Sequence, residues 1–373
     1  LYHLIFIVKI KIIMKVSIIG NNLTSLTLTK TLVNLGIKVD IFSDKKKKKN
    51  NKIQTLGISR SNIVFFNNNI LNIDKLLWNI KSIEIYSESL KNEKILDFKN
   101  KYEHLFSIIK NYDLYILLLR SLNRNKLVSF KKKISYQKLL KKNYDLIFNC
   151  DYSDYITKKF FYNRIEKDYN SFAHVTTFEH KKISQNQIAF QVFTNEGPLA
   201  FLPMSPTETS VVYSVKGKKS IDLSNLIKKY NFKYEILMIN KALNFELKQS
   251  NLRSYHFKNI IAFGDILHRI HPLAGQGFNM TIRDIKEIHR LIKFKKVHGL
   301  SLDKSIGNDF EKNSKDKNYI FSSGIDFIYE FFNLERKFNT NNLSKFVKFF
   351  GKSKTINKFF TKFADSGITL RDY

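Results

Sequence analysis

Hydrophobic and polar positions follow two different periods along this chain, and the switch between them marks its elements. Lys15 to Gly20, KVSIIG, is a short β-branched run that stops at a glycine. From Asn21 to Gly36 the apolar residues Leu23, Leu26, Leu28, Leu32 and Leu35 fall at helical spacing, and Gly36 suits a helix C-cap. Ile37 to Phe42, IKVDIF, is strand-like again. Together they predict a right-handed βαβ unit with parallel strands. Strand-like pieces follow around Ile83 to Tyr86, then a helical stretch from Phe106 to Asn123 and a buried strand in YDLIFNCDYSD, Tyr144 to Asp154. From about Phe172 to Val215 the period becomes two, with a Gly-Pro turn in AFQVFTNEGPLAFLPM. NIIAF, Asn259 to Phe263, predicts one more strand, followed by a helix from about Gly277 to Ile292 and a largely helical tail from about Leu300 to Tyr373. There is no internal repeat.

A length of 373 residues exceeds one compact core and fits two joined domains. Hydrophobic residues at 43%, with 33 Phe, exclude general disorder. The formal charge is 64 − 32 = +32, which would ordinarily point to nucleic acid or an anionic membrane. Much of it reads as compositional drift, because Lys, Asn, Ile and Phe all have AT-rich codons and the run Lys45 to Lys52 is a solvated loop. With no zinc spacing and no RNA-binding signature, nucleic acid is not an expected partner. A single cysteine, Cys150, excludes an internal disulfide framework and a multi-Cys metal site, and favours a reducing, cytoplasmic setting. Residues 1–13 are apolar but interrupted by lysines; since Met14 heads the first strand, they are expected to be a non-native extension.

Two loops carry candidate chemistry. After the first strand, Gly20-Asn21-Asn22-Leu23-Thr24-Ser25 occupies the place of a dinucleotide fingerprint. Only the first of its three glycines is present. Asn22 stands where backbone must approach a pyrophosphate, and Asn tolerates left-handed angles. The helix start still offers N–H groups to a phosphate. Ser43 occupies the position of the ribose-binding acid, with Asp44 next. On pattern alone an ordinary βαβ start fits equally well. The second loop, GDILHRIHPLAGQGFNM from Gly264 to Met280, holds three of the chain's thirteen glycines. Gly264 permits close approach at a strand end, Asp265 is an acceptor for ligand hydroxyls, Pro272 stiffens the loop, and Gly275 and Gly277 expose N–H groups at a helix N-terminus. Asp265 also suits a turn carboxylate, and His268 and His271 suit loop positions; no ligand set accompanies them, so no metal is expected.

This second stretch resembles the motif G-D-A-A-H-x-x-H-P-x-A-G-Q-G-x-N-x-G-x-x-D of the ubiquinone-biosynthesis hydroxylases, class A flavoprotein monooxygenases, at Gly264, Asp265, His268, His271, Pro272, Ala274, Gly275, Gln276, Gly277, Asn279 and Asp284. TLGISRSN (Thr55 to Asn62), FSIIKNYDL (Phe106 to Leu114) and AFQVFTNEGPLAFLPM (Ala189 to Met204) are similar to segments of that family in the same order. The resemblance implies an α/β fold of p-hydroxybenzoate hydroxylase type: a Rossmann-type FAD domain from 14–70, 105–160 and 255–295, an inserted mixed or antiparallel β-sheet substrate domain from 71–104 and 161–254, and C-terminal helices in 296–373. It implies FAD as cofactor and NADPH or NADH as reductant. Gly20, Asn22 and Leu23 would meet the pyrophosphate, Ser43 or Asp44 the ribose, Asp265 the ribityl chain, Pro272 the flavin ring, and Gly275, Gln276, Gly277, Phe278 and Asn279 its N1–C2=O edge. Gln54 stands where relatives carry an Arg near the cofactor, and the family's GADG-like box reads Asn149-Cys150-Asp151-Tyr152.

The implied activity is hydroxylation of a polyprenylated phenol, with a lean towards 2-polyprenyl-6-methoxyphenol, and the implied partners are proteins of a ubiquinone-biosynthesis complex. No catalytic side chain is singled out. A lipid-tailed substrate favours peripheral contact with the inner face of the cytoplasmic membrane, for which Phe346 to Phe363, mixing Phe and Lys, suits an interfacial helix or equally a core-packed one. Two alternatives stay open: a flavin monooxygenase for another aromatic substrate, and a flavin-poor scaffold, which the missing glycines favour.

Overall fold

The computed structural model describes residues 14–44, 53–90, 93–99, 104–270 and 277–338. Three sheets organise them. The first has the order β16 (His256–Phe257), β17 (Ile260–Ala262), β9 (Leu146–Asn149), β1 (Lys15–Ile19), β2 (Lys38–Ser43), β8 (Val128–Lys132). Its pairings are parallel except for the small β16–β17 hairpin. The β-branched run of β1 is buried on both faces, with Val16 and Ile18 fully inaccessible, as expected of a parallel strand with helices on either side.

Helix α1 (Leu23–Asn34) follows β1 and packs on α3 (Asn111–Asn123) and α7 (Gly277–Val297). Its leucines are buried as the spacing predicted, and so are three threonines, whose β-branching and hydroxyls would disfavour a helix interior. The hydroxyls of Thr27, Thr29 and Thr31 donate to the carbonyls of Leu23, Ser25 and Thr27, so none is left unpaired. Helix α3 buries Leu114, Leu118 and Leu122, one residue per turn.

The second sheet has nine strands: β18 (His268–Arg269), β15 (Leu243–Leu252), β10 (Arg164–His180), β13 (Glu208–Lys216), β12 (Pro198–Pro203), β11 (Ile188–Phe193), β5 (Ser82–Ser87) and β6 (Glu93–Lys99) in line, with β14 (Ile236–Ile239) beside β10. It is antiparallel apart from the parallel β11–β5 pair, the mixed sheet that the alternation from Phe172 onward predicted. Its Gly-Pro turn requires glycine: a Cβ on Gly197 would lie 1.7 Å from the Ser214 carbonyl oxygen. One face packs on α6 (Leu223–Tyr230) through Phe178, Phe190, Phe201 and Tyr234.

The third sheet is small and corrects one expectation. Phe106–Lys110, expected as the start of a helix, is strand β7, antiparallel to β3 (Thr55–Ser59) and β4 (Trp78–Ile80), and α3 begins only at Asn111. The remaining helices are α2 (Arg60–Asn69), the short α4 (Tyr136–Leu140) and α5 (Tyr155–Phe160), and α8 (Ser305–Phe338). Helix α8 packs on α7 and is tied to the nine-stranded sheet, where Gln249 Nε2 and Asn251 Nδ2 both donate to Ser322 Oγ at 2.8 Å. Among the described residues no helix is long and apolar enough to cross a membrane. Residues 1–13, the Lys45 to Lys52 run and the Phe346 to Phe363 segment lie outside the described residues.

Candidate functional site

Three neighbouring parallel strands, β17, β9 and β1, end at one place. Strand β1 runs into Gly20, whose φ of +116° disfavours any other residue. A Cβ there would lie 3.4 Å from the Cys150 carbonyl carbon and 3.5 Å from the Asp151 nitrogen, at the end of β9. Strand β17 runs through Phe263 into Gly264, with φ +67°. A Cβ on Gly264 would come within 2.7 Å of Thr24 Cγ2, in the first turn of α1. The GD loop and the first helix start are therefore in direct contact, at the carboxyl edge where open α/β sheets bind ligands. Asp265 is exposed beside them. The Cys150 thiol is pushed far above its ordinary value by burial and then by the nearby Asp151 and Asp265 carboxylates, so it is an inert packing group.

The start of α1 differs from the sequence expectation at Asn22. Its backbone is extended, with φ −118° and ψ 177°, and does not use the left-handed tolerance of asparagine. Asn22 instead closes a capping box: its Oδ1 accepts from the Ser25 N–H at 2.9 Å, and Ser25 Oγ accepts from the Asn22 N–H at 2.8 Å. Asn22 Nδ2 also donates to the Cys150 carbonyl at 2.8 Å. Two backbone donors of the helix start are thus engaged by the protein. Those of Leu23 and Thr24 have no partner among the described residues and retain the affinity of a helix N-terminus for an anion.

Ser43 is half-buried at the end of β2 and Asp44 is exposed beyond it. The chain after β8 folds onto this end: the Lys133 N–H donates to the Ser43 carbonyl at 3.1 Å. Lys133 Nζ reaches Asp154 at 2.8 Å, Asp151 at 3.4 Å and Asp44 at 4.0 Å. Burial pulls this amine down, but the Asp154 and Asp151 carboxylates more than reverse the effect and hold it above its ordinary value. A cavity of about 410 Å³ opens here, lined by Ile19, Phe42, Lys133, Tyr136, Asp154 and Tyr155 among others. Sequence reasoning missed Lys133, Tyr136 and Tyr155. Lys133 sits in a lysine run that gave it no distinction, and strand β8 before it was not recognised.

Further along the GD stretch, the residues divide. His268 Nε2 lies 2.6 Å from Asp284 Oδ2, both side chains 1% exposed. Asp284 Oδ1 accepts from Asn318 Nδ2 at 2.8 Å, so the pair ties the loop to α7 and α8, as the loop-structural reading of this histidine expected. A Cβ on Gly277, at the start of α7, would meet nothing within 4 Å among the described residues, and Phe278 is buried. Asn279 was expected at the flavin edge. Its side chain is buried and committed to protein partners: Oδ1 accepts from the Ser59 N–H at 3.0 Å and Asn62 Nδ2 at 2.9 Å, and Nδ2 donates to the Gly57 carbonyl at 2.9 Å. It clamps α7 to β3. Gln54 is half-buried just before β3, and its carbonyl accepts from the Asn111 N–H at 3.0 Å. His271, Pro272, Gly275 and Gln276 lie outside the described residues. Among the described residues no group of three or more His, Cys, Asp or Glu could hold a metal ion.

The residues present fit a dinucleotide. Free helix-start donors suit phosphates, an exposed Asp265 suits sugar hydroxyls, and the cavity at the end of β2 is large enough for a planar base.

No family model matches the chain. By sequence it is related to ubiquinone-biosynthesis hydroxylases. It is 22% identical over 254 residues to the mitochondrial ubiquinone biosynthesis monooxygenase COQ6 of Schizosaccharomyces pombe, covering 54% of this chain and 52% of that protein. It is 26% identical over 150 residues to the 3-demethoxyubiquinol 3-hydroxylase of Escherichia coli, covering 38% of each. The chain thus spans about half the length, or less, of these curated relatives. Among solved structures, p-nitrophenol 4-monooxygenase PnpA of Pseudomonas putida matches with a TM-score of 0.75 at 11% identity, over 95% of this chain and 99% of that one. Klebsiella pneumoniae HpxO, solved with FAD and uric acid, matches at 0.73 and 11%, over 94% and 96%. The fold is that of the class A FAD monooxygenases.

Proposed function

We propose that this chain is an FAD-dependent monooxygenase that hydroxylates the aromatic ring of a polyprenylated phenol in ubiquinone biosynthesis, with NADPH or NADH as reductant. The observation that supports it most is the contact between Gly264 and Thr24, which joins the two loops of the dinucleotide site at the ends of β1 and β17. The named relatives are ubiquinone-biosynthesis hydroxylases, and HpxO carries FAD on the same fold.

In this reading the Leu23 and Thr24 N–H groups hold the pyrophosphate, Asp265 accepts from the ribityl hydroxyls, and Asp44 with Lys133 borders the adenosine end. Pro272, Gly275 and Gln276 are the proposed ring contacts, and the start of α7 at Gly277 favours negative charge there. Bound FAD supplies the redox chemistry: it takes electrons from the nicotinamide and uses O2 to hydroxylate an electron-rich ring. The protein orients the cofactor, excludes water and fixes the loop through His268 and Asp284. Ile80, Ile108, Ala189 and Met204 form a buried apolar cluster between the small sheet and the large one.

The capping box at Asn22 and Ser25 favours a second reading, a scaffold that binds flavin weakly. Purified protein that is yellow and releases flavin on denaturation supports the enzyme; colourless protein that is still colourless after incubation with FAD and removal of the free cofactor supports the scaffold. NAD(P)H oxidation stimulated by a prenylated phenol, and not by hydroxybenzoate, is the expected result. Stimulation by hydroxybenzoate alone would overturn the substrate assignment.

A further inference from the structure

The outer surface around α4, α5 and the β16–β17 turn is rich in lysine. Residues 131–142, 155–162 and 256–259 carry nine lysines and no acidic residue. At the chain-wide ratio of 64 basic to 32 acidic residues, nine would be accompanied by four or five acids. Two of the nine, Lys131 and Lys133, are paired with Asp40 and Asp154. The other seven, Lys132, Lys138, Lys141, Lys142, Lys158, Lys159 and Lys258, have no ion-pair partner among the described residues.

Side-chain contacts join the segments into one patch. Phe160 and Phe257 stack at 4.2 Å with an interplanar angle of 12°. Tyr136 lies 5.4 Å from Phe160 and 6.4 Å from Tyr155. The Lys159 amine sits over Tyr136, Tyr155 and Phe160 at 5.3–5.6 Å, and Lys258 lies over Phe257 at 5.7 Å. Apolar side chains remain in contact with solvent: Tyr155 is 56% exposed, Tyr162 72% and Leu140 44%.

We propose that this surface docks on an anionic lipid bilayer. Unpaired lysines beside exposed Tyr, Phe and Leu provide both parts of interfacial binding, charge attraction and shallow apolar insertion. Single-stranded nucleic acid also favours lysines near aromatic rings, but it needs free ring faces for base stacking. Here Phe160 and Phe257 cover one face of each other's ring, and the Lys159 amine lies over Tyr136, Tyr155 and Phe160, so these ring faces are already taken. The patch shares no residue with the Phe346 to Phe363 segment, and the inference does not depend on which reaction the chain catalyses.

The test is co-flotation of the full chain with vesicles of phosphatidylcholine alone, or of phosphatidylcholine with a third phosphatidylglycerol, at low and high salt. Binding is expected only to the anionic vesicles and is expected to weaken with salt. The triple variant Lys138→Gln, Lys158→Gln, Lys258→Asn should lower partitioning on the order of a hundredfold. A control triple elsewhere, Lys182→Gln, Lys219→Gln, Lys241→Gln, should change it much less, and both should keep the wild-type melting curve. Three results would overturn the proposal: wild-type protein that ignores phosphatidylglycerol, two triples that behave alike, or single-stranded DNA bound as tightly as the anionic vesicles and lost in the same variant.

Discussion

Replacing Gly264 by alanine tests the geometry on which the site rests. The added Cβ must occupy a left-handed backbone at φ +67° and lie 2.7 Å from Thr24 Cγ2 and 3.0 Å from its Oγ1. The backbone alone costs about 1–2 kcal/mol. Overpacking against a β-branched side chain, stiff at χ1, adds about 1–3 kcal/mol, so the change should destabilise by about 2–5 kcal/mol. Thr24→Ser removes the nearer atom and lets the hydroxyl rotate away. In the Gly264→Ala background it should restore the overpacking part, about 1–3 kcal/mol, while leaving the backbone cost. Urea denaturation of the four proteins of the cycle gives the coupling directly. FAD affinity, read from quenching of flavin fluorescence, should fall in the single Gly264 variant and recover in the double. A coupling below about 0.5 kcal/mol would mean that the two loops do not touch as described, and the cofactor assignment would lose its main support.

Other positions give independent checks. Asn22→Gly removes the side-chain half of the capping box and the bond to the Cys150 carbonyl, at a stability cost of about 1–2 kcal/mol; it should tighten FAD binding by freeing the Ser25 N–H, and weaker binding would show that the asparagine itself holds the cofactor. Asn279→Ala removes the acceptor of the Ser59 N–H and the donor to the Gly57 carbonyl, while Asn62 Nδ2 keeps the Asn279 carbonyl, so a loss of about 3 kcal/mol in urea melts is expected; a loss under about 1 kcal/mol would contradict the clamp. Burial pushes the Lys233 amine down to about 8, so the unfolded chain binds more protons between pH 8 and about 10.4 and stability should rise with pH across that window. Lys233→Met should abolish the rise, and an unchanged pH profile would refute its origin in this residue.

How much could be read from the sequence depends on how local the signal was. The βαβ start was legible because glycine and leucine positions alone define it, and the alternation from Phe172 to Val215 gave the antiparallel strands directly. Phe106–Lys110 was misread because nothing marks its end: Lys110 precedes α3 without a side-chain cap, and the apolar run continues across the boundary. The strand conformation comes from pairing with Thr55–Ser59, some fifty residues away, a tertiary preference that local pattern does not carry. Asn22 shows a different limit. Its permissive backbone was visible, but the better use of its side chain depended on Ser25 and on the Cys150 carbonyl at the end of another strand. Lys133 and the surface around Lys159 were hidden by composition, since one lysine among many gains meaning only from its neighbours in space.

The parallel pairing of β17 with β9 brings Ile260 beside Ile147, across six strands of the nine-stranded sheet, β10 to β15. During synthesis, the edge of β9 must wait for a further 113 residues, 260 − 147, an interval of roughly 6–23 s at ordinary translation rates. Throughout that time a nascent chain presents an unfilled strand edge rich in Leu, Ile and Phe, an exposed surface of the kind chaperones capture early in synthesis.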